Sequence, residues 1–128
     1  MAGPAKAGLF LYAKDLQRLT QFYQTLLSMQ LLHQTAELAV LQSESLQLVV
    51  HAWPAPVAAS MQISEPPELR NNSALKFFAS VTNLRAAREQ AAALGGAIWE
   101  EMYQGPGFQV CNANDPEGNI FQVREFAE

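Results

Sequence analysis

The sequence contains little cysteine and little positive charge. A single cysteine, Cys111, occurs in 128 residues, which excludes an internal disulfide and a multi-cysteine metal site. Lysine and arginine together number 8 against 12 acidic residues, so the formal net charge is −4. The basic residues form no cluster that could neutralise a row of phosphates. We therefore expect no nucleic-acid partner, and we interpret Cys111 as a small buried hydrophobic residue.

Long hydrophobic runs are missing as well. The longest apolar runs, such as residues 9–13 and 46–52, fall well short of the about 18 to 20 residues that a membrane-spanning helix needs. No continuous apolar signal region accompanies Lys6 near the N-terminus. We expect a cytoplasmic protein with no membrane partner. Because 49% of the residues are apolar, the chain can build one compact core, and we predict a single domain over residues 1–128.

The first half of the chain shows the pattern βαβββ. Residues 9–13 predict a short strand, and Asp15 is a typical first residue for capping a helix. Apolar residues then recur every three or four positions, which places them on one helix face. Three further strands are predicted near residues 31–34, 37–42 and 46–52. This first module covers about residues 7–53, and its predicted helix face consists of Leu16, Leu19, Phe22, Tyr23, Leu26 and Leu27.

The second half repeats this order. When Asn83 is superposed on Asp15 as a second helix cap, Leu94 falls on Leu26. The predicted strand before this helix covers residues 75–81, and Gly95 with Gly96 is typical of a helix C-terminus. Strands are predicted near residues 97–102, 108–112 and 119–126, with the turn Asp115-Pro116-Glu117-Gly118-Asn119 before the last one. This second module covers about residues 74–127.

The repeat predicts an α+β fold. Two βαβββ modules with mixed, mostly antiparallel sheets would curl around a shared cavity, since one sheet with one helix leaves its other face uncovered. Residues 54–73 connect the modules and contain four prolines. A connection of this length is unusual in a compact domain, so we expect it to cross the surface or to cover the cavity as a lid.

Two motifs resemble a known family. Phe10-Leu11-Tyr12-Ala13-Lys14-Asp15-Leu16, followed by Phe22-Tyr23, resembles the first strand and helix of the vicinal oxygen chelate superfamily. Asp115-Pro116-Glu117-Gly118-Asn119 resembles the turn before the last strand of the same proteins. That superfamily includes glyoxalase I, the extradiol dioxygenases and the bleomycin-binding resistance proteins. The resemblance covers nearly the whole chain, and it implies paired βαβββ modules and a homodimer.

The resemblance also identifies where a metal would bind. Metal-dependent members use four side chains from the first and last strands of each module, and the matching positions here are Gly8, Gln47, Lys76 and Gln122. Glycine offers no ligand, a protonated lysine repels a cation, and two neutral amides are weak donors. We therefore predict no metal site and no cofactor.

Strand alternation directs a set of aromatic and polar side chains to the cavity side, as in a typical small-molecule site. One alternative is that the phenylalanines among them simply fill a collapsed core. A second alternative concerns Lys76, whose ammonium either finds an acceptor in Gln47 or Gln122 or extends to solvent while its stem lines the cavity. The predicted ligand-binding residues are Phe10, Tyr12, Gln47, His51, Lys76, Phe78, Phe108, Gln122 and Arg124.

These observations favour a metal-independent protein that binds a small aromatic or anionic compound, in the manner of the bleomycin resistance proteins. The alternative is an enzyme of the same superfamily, a metal-dependent or lysine-assisted lyase, isomerase or dioxygenase. A third possibility is a structural or regulatory protein whose cavity has closed around its own aromatic residues. The sequence contains no nucleophile elbow and no phosphate-binding glycine pattern, and we name no catalytic residue.

Overall fold

The structure is a computed structural model that describes residues 5–127. The chain divides into two compact units, the first ending at Gln62 and the second beginning at Ile63. Each unit contains one four-stranded mixed sheet and follows the order βαβββ. The predicted α+β class and the repeat of βαβββ modules are confirmed.

The first unit contains the four strands and the one helix of the repeat, and one additional helix. Strand β1 runs parallel to β4, while β4 and β2 both run antiparallel to β3, so the strand order is β1-β4-β3-β2. The elements are β1 (Leu9–Ala13), α1 (Leu16–Leu26), β2 (Gln30–Gln34), β3 (Leu38–Gln42), β4 (Gln47–Ala52) and α2 (Ala55–Ser60).

Helix α1 covers one face of the first sheet. It begins after Asp15, whose Oδ1 accepts a hydrogen bond from the Arg18 amide at 3.1 Å, as its position in the sequence predicts. Its side chains Leu19 and Phe22 are fully buried, and the helix packs against β3 and β4. Alternate residues of β4 are buried beneath it, while the residues between them face the other side. The first sheet therefore has one covered face and one open face.

The second unit repeats this arrangement. Strand β5 runs parallel to β8, and β7 pairs antiparallel with both β8 and β6, which gives the order β5-β8-β7-β6. The elements are β5 (Phe78–Ser80), α3 (Leu84–Ala93), β6 (Ala97–Gly105), β7 (Phe108–Asn114) and β8 (Ile120–Phe126).

Strand β5 is shorter than the sequence predicts. We expected a strand over residues 75–81, but only Phe78–Ser80 is strand. Backbone pairing with β8 extends one residue further on each side, since Phe77 O accepts from the Gln122 amide and the Val81 amide donates to Arg124 O. Apolar alternation predicted the strand but could not show where its partner β8 stops pairing, and Lys76 consequently lies outside the strand.

Helix α3 is fixed at both ends. Asn83 Oδ1 accepts from the Ala86 amide at 2.8 Å, and Glu125 Oε1 of β8 accepts from the Leu84 amide at 2.6 Å. A carboxylate at this end also favours the helix dipole. The helix ends where the Gly96 amide donates to Ala91 O at 2.9 Å, which confirms the predicted glycine terminus.

The predicted connection over residues 54–73 contains a helix that we did not predict. Helix α2 covers Ala55–Ser60, and two prolines, Pro54 and Pro56, stand at its start. Proline is tolerated in a first helical turn because its missing N–H has no partner there in any case. In the sequence these prolines are only part of a proline-rich connection, whereas in the structure they stand at the start of a short helix.

The far end of the same connection packs on the turn between β7 and β8. Within this turn the fully buried carboxylate of Asp115 accepts from the Glu117 amide at 2.8 Å and from the Asn119 amide at 3.1 Å. Arg70 donates its amide to Gly118 O at 2.9 Å and its Nε to Glu117 O at 3.2 Å. Residues 68–70 therefore cover the turn, and we call them the turn cover.

Candidate functional site

The open face of the first sheet carries an aromatic cluster, formed by Phe10, Tyr12, His51 and Trp53. Phe10 is 52% exposed and Tyr12 is 44% exposed. The Phe10 and His51 rings stack with centroids 5.7 Å apart, and the Tyr12 and Trp53 rings stack at 4.3 Å. An edge contact between Tyr12 and His51 at 5.8 Å joins the two stacks. The cluster presents ring surface on a face that the helices of this unit leave uncovered.

Two ring nitrogens define the polar chemistry of this cluster. His51 Nδ1 lies 2.8 Å from Ala52 O, and because a carbonyl oxygen only accepts, Nδ1 carries the hydrogen. In the neutral ring, Nε2 is then the nitrogen that can accept a hydrogen bond. The indole Nε1 of Trp53 is buried and has no hydrogen-bond partner among residues 5–127. The cluster therefore offers flat apolar ring surface, and Nε2 of the neutral His51 ring offers a hydrogen-bond acceptor.

The two metal-ligand positions of the first unit lie side by side but offer no ligand pair. The parallel register of β1 and β4 brings Gly8 next to Gln47, and a Cβ atom at residue 8 would lie only 2.7 Å from Gln47 O. This close approach requires glycine and prevents any ligating side chain there. The Gln47 side chain donates from Nε2 to Gln42 Oε1 at 3.0 Å.

The open face of the second sheet carries a different group, the arginine cluster of Phe78, Phe108 and Arg124. The central carbon of the Arg124 guanidinium lies 3.6 Å from the Phe78 ring centroid and 4.2 Å from that of Phe108. Phe78 comes from β5 and Phe108 from β7, the two strands that flank β8. Phe126 adds an edge contact to Phe108 at 6.5 Å. Cation–π attraction of this kind holds the guanidinium in one orientation.

Lys76 and Gln122 occupy the other two metal-ligand positions, and the structure separates their roles. Lys76 is exposed, and its Nζ donates to Asn112 Oδ1 at 3.1 Å. This acceptor was not among those that the sequence suggested. Gln122 lies opposite Phe78 in the register of β5 and β8. Within residues 5–127 no group of three or more His, Cys, Asp or Glu side chains could hold a metal ion, so the donor set does not fit a divalent cation.

The nine predicted ligand-binding residues divide between the two units. Four lie in the first and five in the second, and all of them except Lys76 lie on strands. Sequence reasoning missed Asn112 and Phe126. The register places Asn112 opposite Gln122, and Phe126 follows Arg124 on the same face of β8. Extending the period-two alternation along β7 and β8 would have identified both.

Two residues have shifted pKa values, and neither is activated for catalysis. Burial raises the pKa of the Cys111 thiol, and the nearby Arg88 guanidinium only partly opposes this effect. The thiol is fully buried, as its sequence interpretation predicted. The pKa of Tyr103 is raised by a hydrogen bond to Glu101, by burial and by the negative charge of Glu101. Both shifts favour the protonated form, which is a poor nucleophile or base.

Comparison with known proteins agrees with the fold. A family model described as a glyoxalase-like domain matches residues 8–124. No curated protein matches the sequence. Among the helices of the described residues, none is long and apolar enough to cross a membrane.

Solved structures share the fold over nearly the whole chain. FosX, a fosfomycin resistance protein from Listeria monocytogenes crystallised with Mn(II) and sulfate, has a TM-score of 0.68 at 13% identity, covering 98% of this chain and 93% of FosX. A bleomycin resistance determinant encoded on the transposon Tn5 has a TM-score of 0.58 at 20% identity, covering 96% and 98%. A hypothetical protein from S. aureus has a TM-score of 0.66 at 16% identity, covering 96% and 95%. At these identities the likeness establishes the fold alone.

Proposed function

We propose that this chain, which belongs to the glyoxalase-like domain family, binds a small aromatic or anionic molecule without a divalent metal ion. The resemblance of its motifs to the vicinal oxygen chelate superfamily is confirmed by the family match and by the fold shared with FosX and the bleomycin resistance proteins. The observation that carries the proposal is the exposure of large aromatic side chains beside polar groups on the open face of each sheet.

Exposure of these rings argues against the alternative of a collapsed core. Phe10 and Phe78 are each more than half exposed, although alternate residues of the same sheets are fully buried. Burying a side chain of this size contributes roughly 1.5 to 3 kcal/mol, so a chain whose cavity had closed around its own aromatic residues would have gained that energy. Exposed rings that are already ordered by stacking are suited to covering a ligand.

The side chains at the four metal-ligand positions support binding without a metal ion. Gly8 has no ligand atom, the Gln47 amide is hydrogen-bonded to Gln42, and Lys76 is itself a hydrogen-bond donor. A metal-dependent lyase or dioxygenase needs a Lewis acid that this set does not hold. A lysine-assisted route needs a lysine amine desolvated in an apolar pocket, whereas Lys76 is exposed.

The binding function is tested by thermal stabilisation. A ligand that binds only the native state raises the melting temperature, since stabilisation follows RT ln(1 + [L]/Kd) and reaches about 2.7 kcal/mol at a hundredfold excess over Kd. We expect some aromatic or anionic compounds to stabilise the protein, and we expect Phe10→Ala or Phe78→Ala to weaken this effect. Leu75→Ala is the control, because Leu75 is 82% exposed and stands outside both clusters. Failure of every aromatic and anionic compound to stabilise the chain would refute the proposal.

The metal-independent part is tested separately. Elemental analysis after dialysis should find far less than one Mn, Zn, Ni or Fe per chain, and micromolar Mn²⁺ or Zn²⁺ should leave the melting temperature nearly unchanged. One bound metal per chain, or a shift of several degrees, would contradict this part and favour an enzyme.

We further propose that the protein is a homodimer. The proposal is supported by the resemblance and by apolar side chains that remain exposed, such as Met102 and Tyr103 on β6, which are the kind of surface that a symmetric contact covers. Light scattering should give twice the chain mass of 14.1 kDa. A mass of one chain at all concentrations would exclude the dimer.

A further inference from the structure

We infer that Arg124 is the anchor for the ligand, and that the group it anchors is a planar carboxylate. This inference rests on the proposed small-molecule binding function and specifies its second-unit site. It assigns the role of anion receptor to Arg124, because Lys76 already donates to Asn112 and stands in solvent.

The first step concerns the orientation of the guanidinium. The central carbon of the guanidinium lies 3.6 Å from the Phe78 ring centroid, a distance at which the guanidinium plane stacks along an aromatic ring face. The N–H bonds then point sideways, within that plane, and not into the rings. Stacking therefore fixes the direction in which Arg124 can donate.

The second step concerns the donors themselves. Arginine carries five N–H donors and no acceptor, so each donor of Arg124 needs an acceptor from another residue, from water or from a ligand. Its Nε atom is buried and has no hydrogen-bond partner within residues 5–127. A buried donor without an acceptor is unfavourable, and an acceptor supplied by a ligand would remove that penalty.

The third step concerns the neighbouring charges. Glu125 follows Arg124 in sequence, but adjacent residues of a strand point to opposite faces, and Glu125 Oε1 is bonded to the Leu84 amide at the start of α3. It is therefore committed to the helix and does not neutralise Arg124. Lys76 adds a second positive charge on β7's side of the open face through its bond to Asn112.

These three features select the ligand chemistry. An in-plane edge of N–H donors matches two coplanar oxygens, which is the bidentate geometry of a carboxylate. Phe108 and the exposed Phe126 supply apolar surface next to that edge. The site is thus suited to an aromatic carboxylate more than to a tetrahedral phosphonate or a neutral amide.

The test compares benzoate, benzamide and phenylphosphonate as matched probes. Arg124→Lys keeps the positive charge but loses the planar fork, and it should weaken benzoate binding at least about tenfold while leaving benzamide unchanged. Arg85→Lys is the matched control, because Arg85 is exposed on α3, and it should leave all three probes unaffected. Tighter binding of phenylphosphonate than of benzoate would overturn the choice of a carboxylate.

A second measurement is made on the unchanged protein, and Arg124→Lys serves only to assign the signal. In the nitrogen–proton spectrum of the unchanged protein, the Nε–H signal that Arg124→Lys removes should shift on addition of benzoate and stay in place with benzamide. The inference would be overturned if the unchanged protein and Arg124→Lys bind benzoate with equal affinity. It would also be overturned if benzoate does not shift the Nε–H signal. Stabilisation by neutral aromatics would then leave the proposed function standing. The absence of benzoate binding overturns the inference, whereas the proposed function fails only if no aromatic or anionic compound stabilises the protein.

Discussion

The two units place different chemistry at equivalent positions. In the first, Tyr12 stands three residues before the helix cap and lies opposite His51; in the second, Ser80 stands three residues before its cap and lies opposite Arg124. His51 stacks on Phe10, and Arg124 stacks in the same relation on Phe78. The backbone therefore repeats the location of a polar group beside a phenylalanine ring. The side chain decides whether that group is a hydrogen-bonding imidazole or a permanent cation.

The hairpins that lead into the last strand of each unit differ as well. In the first unit, residues 43–46 connect the two strands, and the Ser43 amide donates to Leu46 O at 2.9 Å. Glu44 and Ser45 in this connection are exposed. In the second, residues 115–118 are all buried, and the turn cover lies over them. The first turn depends on local bonds alone, whereas the second also depends on a segment far away in sequence.

The largest loss of stability should come from adding a side chain at Gly118, which lies directly beneath the turn cover. Gly118 has a φ of 87°, and a Cβ atom there would collide with the Glu68 carbonyl oxygen. Because the obstacle is backbone, Gly118→Ala should lower the free energy of unfolding by at least about 3 kcal/mol, measured by urea denaturation. Gly107→Ala is the control, since φ is 80° but nothing lies within 4 Å, and it should cost only about 1 to 2 kcal/mol. Equal losses would show that the cover moves away freely.

The two tryptophans allow a second comparison, because each unit contains one. Trp99 Nε1 donates to the buried Asn114 Oδ1 at 2.9 Å, whereas Trp53 Nε1 has no partner among the described residues. Trp99→Phe leaves a buried acceptor unpaired and should cost about 1 to 3 kcal/mol more than Trp53→Phe. Urea denaturation of both variants, followed by circular dichroism, checks the order. A larger loss for Trp53→Phe would contradict it.

The helix caps should give a smaller difference. Asp15→Ala removes the cap of α1 and should cost about 1 kcal/mol. Asn83→Ala should cost about half as much, because Glu125 still accepts from the Leu84 amide at the start of α3. Chemical denaturation of the two variants and of Asn83→Ala/Glu125→Ala makes the test. If Asn83→Ala alone lowers the free energy of unfolding as much as Asp15→Ala, the carboxylate of Glu125 does not compensate for the lost cap.

The smallest effect is expected at Lys76. Its bond to Asn112 joins an exposed side chain to the sheet, so Lys76→Met should change the free energy of unfolding by less than about 0.5 kcal/mol. Benzoate affinity should fall less than about threefold, since the remaining charge acts only at a distance. Calorimetric titration beside Arg124→Lys ranks the two cations. A greater loss from Lys76→Met would transfer the anion site to Lys76.

Local sequence patterns predicted most of the fold and the strand residues that face the open side of each sheet. They did not predict the contacts between elements that are distant in sequence. The helix ends could be predicted from Asp15, Asn83 and Gly95, because the hydrogen bonds at these ends join residues that are close in sequence. Strand alternation placed Phe10 and Arg124 on the open faces. The stacking of Arg124 on Phe108 could not be predicted, because it depends on the register of β7 against β8. The bond from Arg70 to Glu117 joins residues 47 positions apart, and no periodicity reports such a contact.

The turn cover also determines where the chain can be divided. A break between Gln62 and Ile63 leaves α2 with the first sheet and residues 68–70 with the hairpin they shield. A break after Ser73, where the two repeats would separate by sequence period alone, removes that shield from the second half and exposes the Asp115 hairpin to water. For split-protein reassembly or circular permutation, the two halves are therefore unequal: the second carries residues 63–73, more than half of the connection over residues 54–73, as part of its own structure.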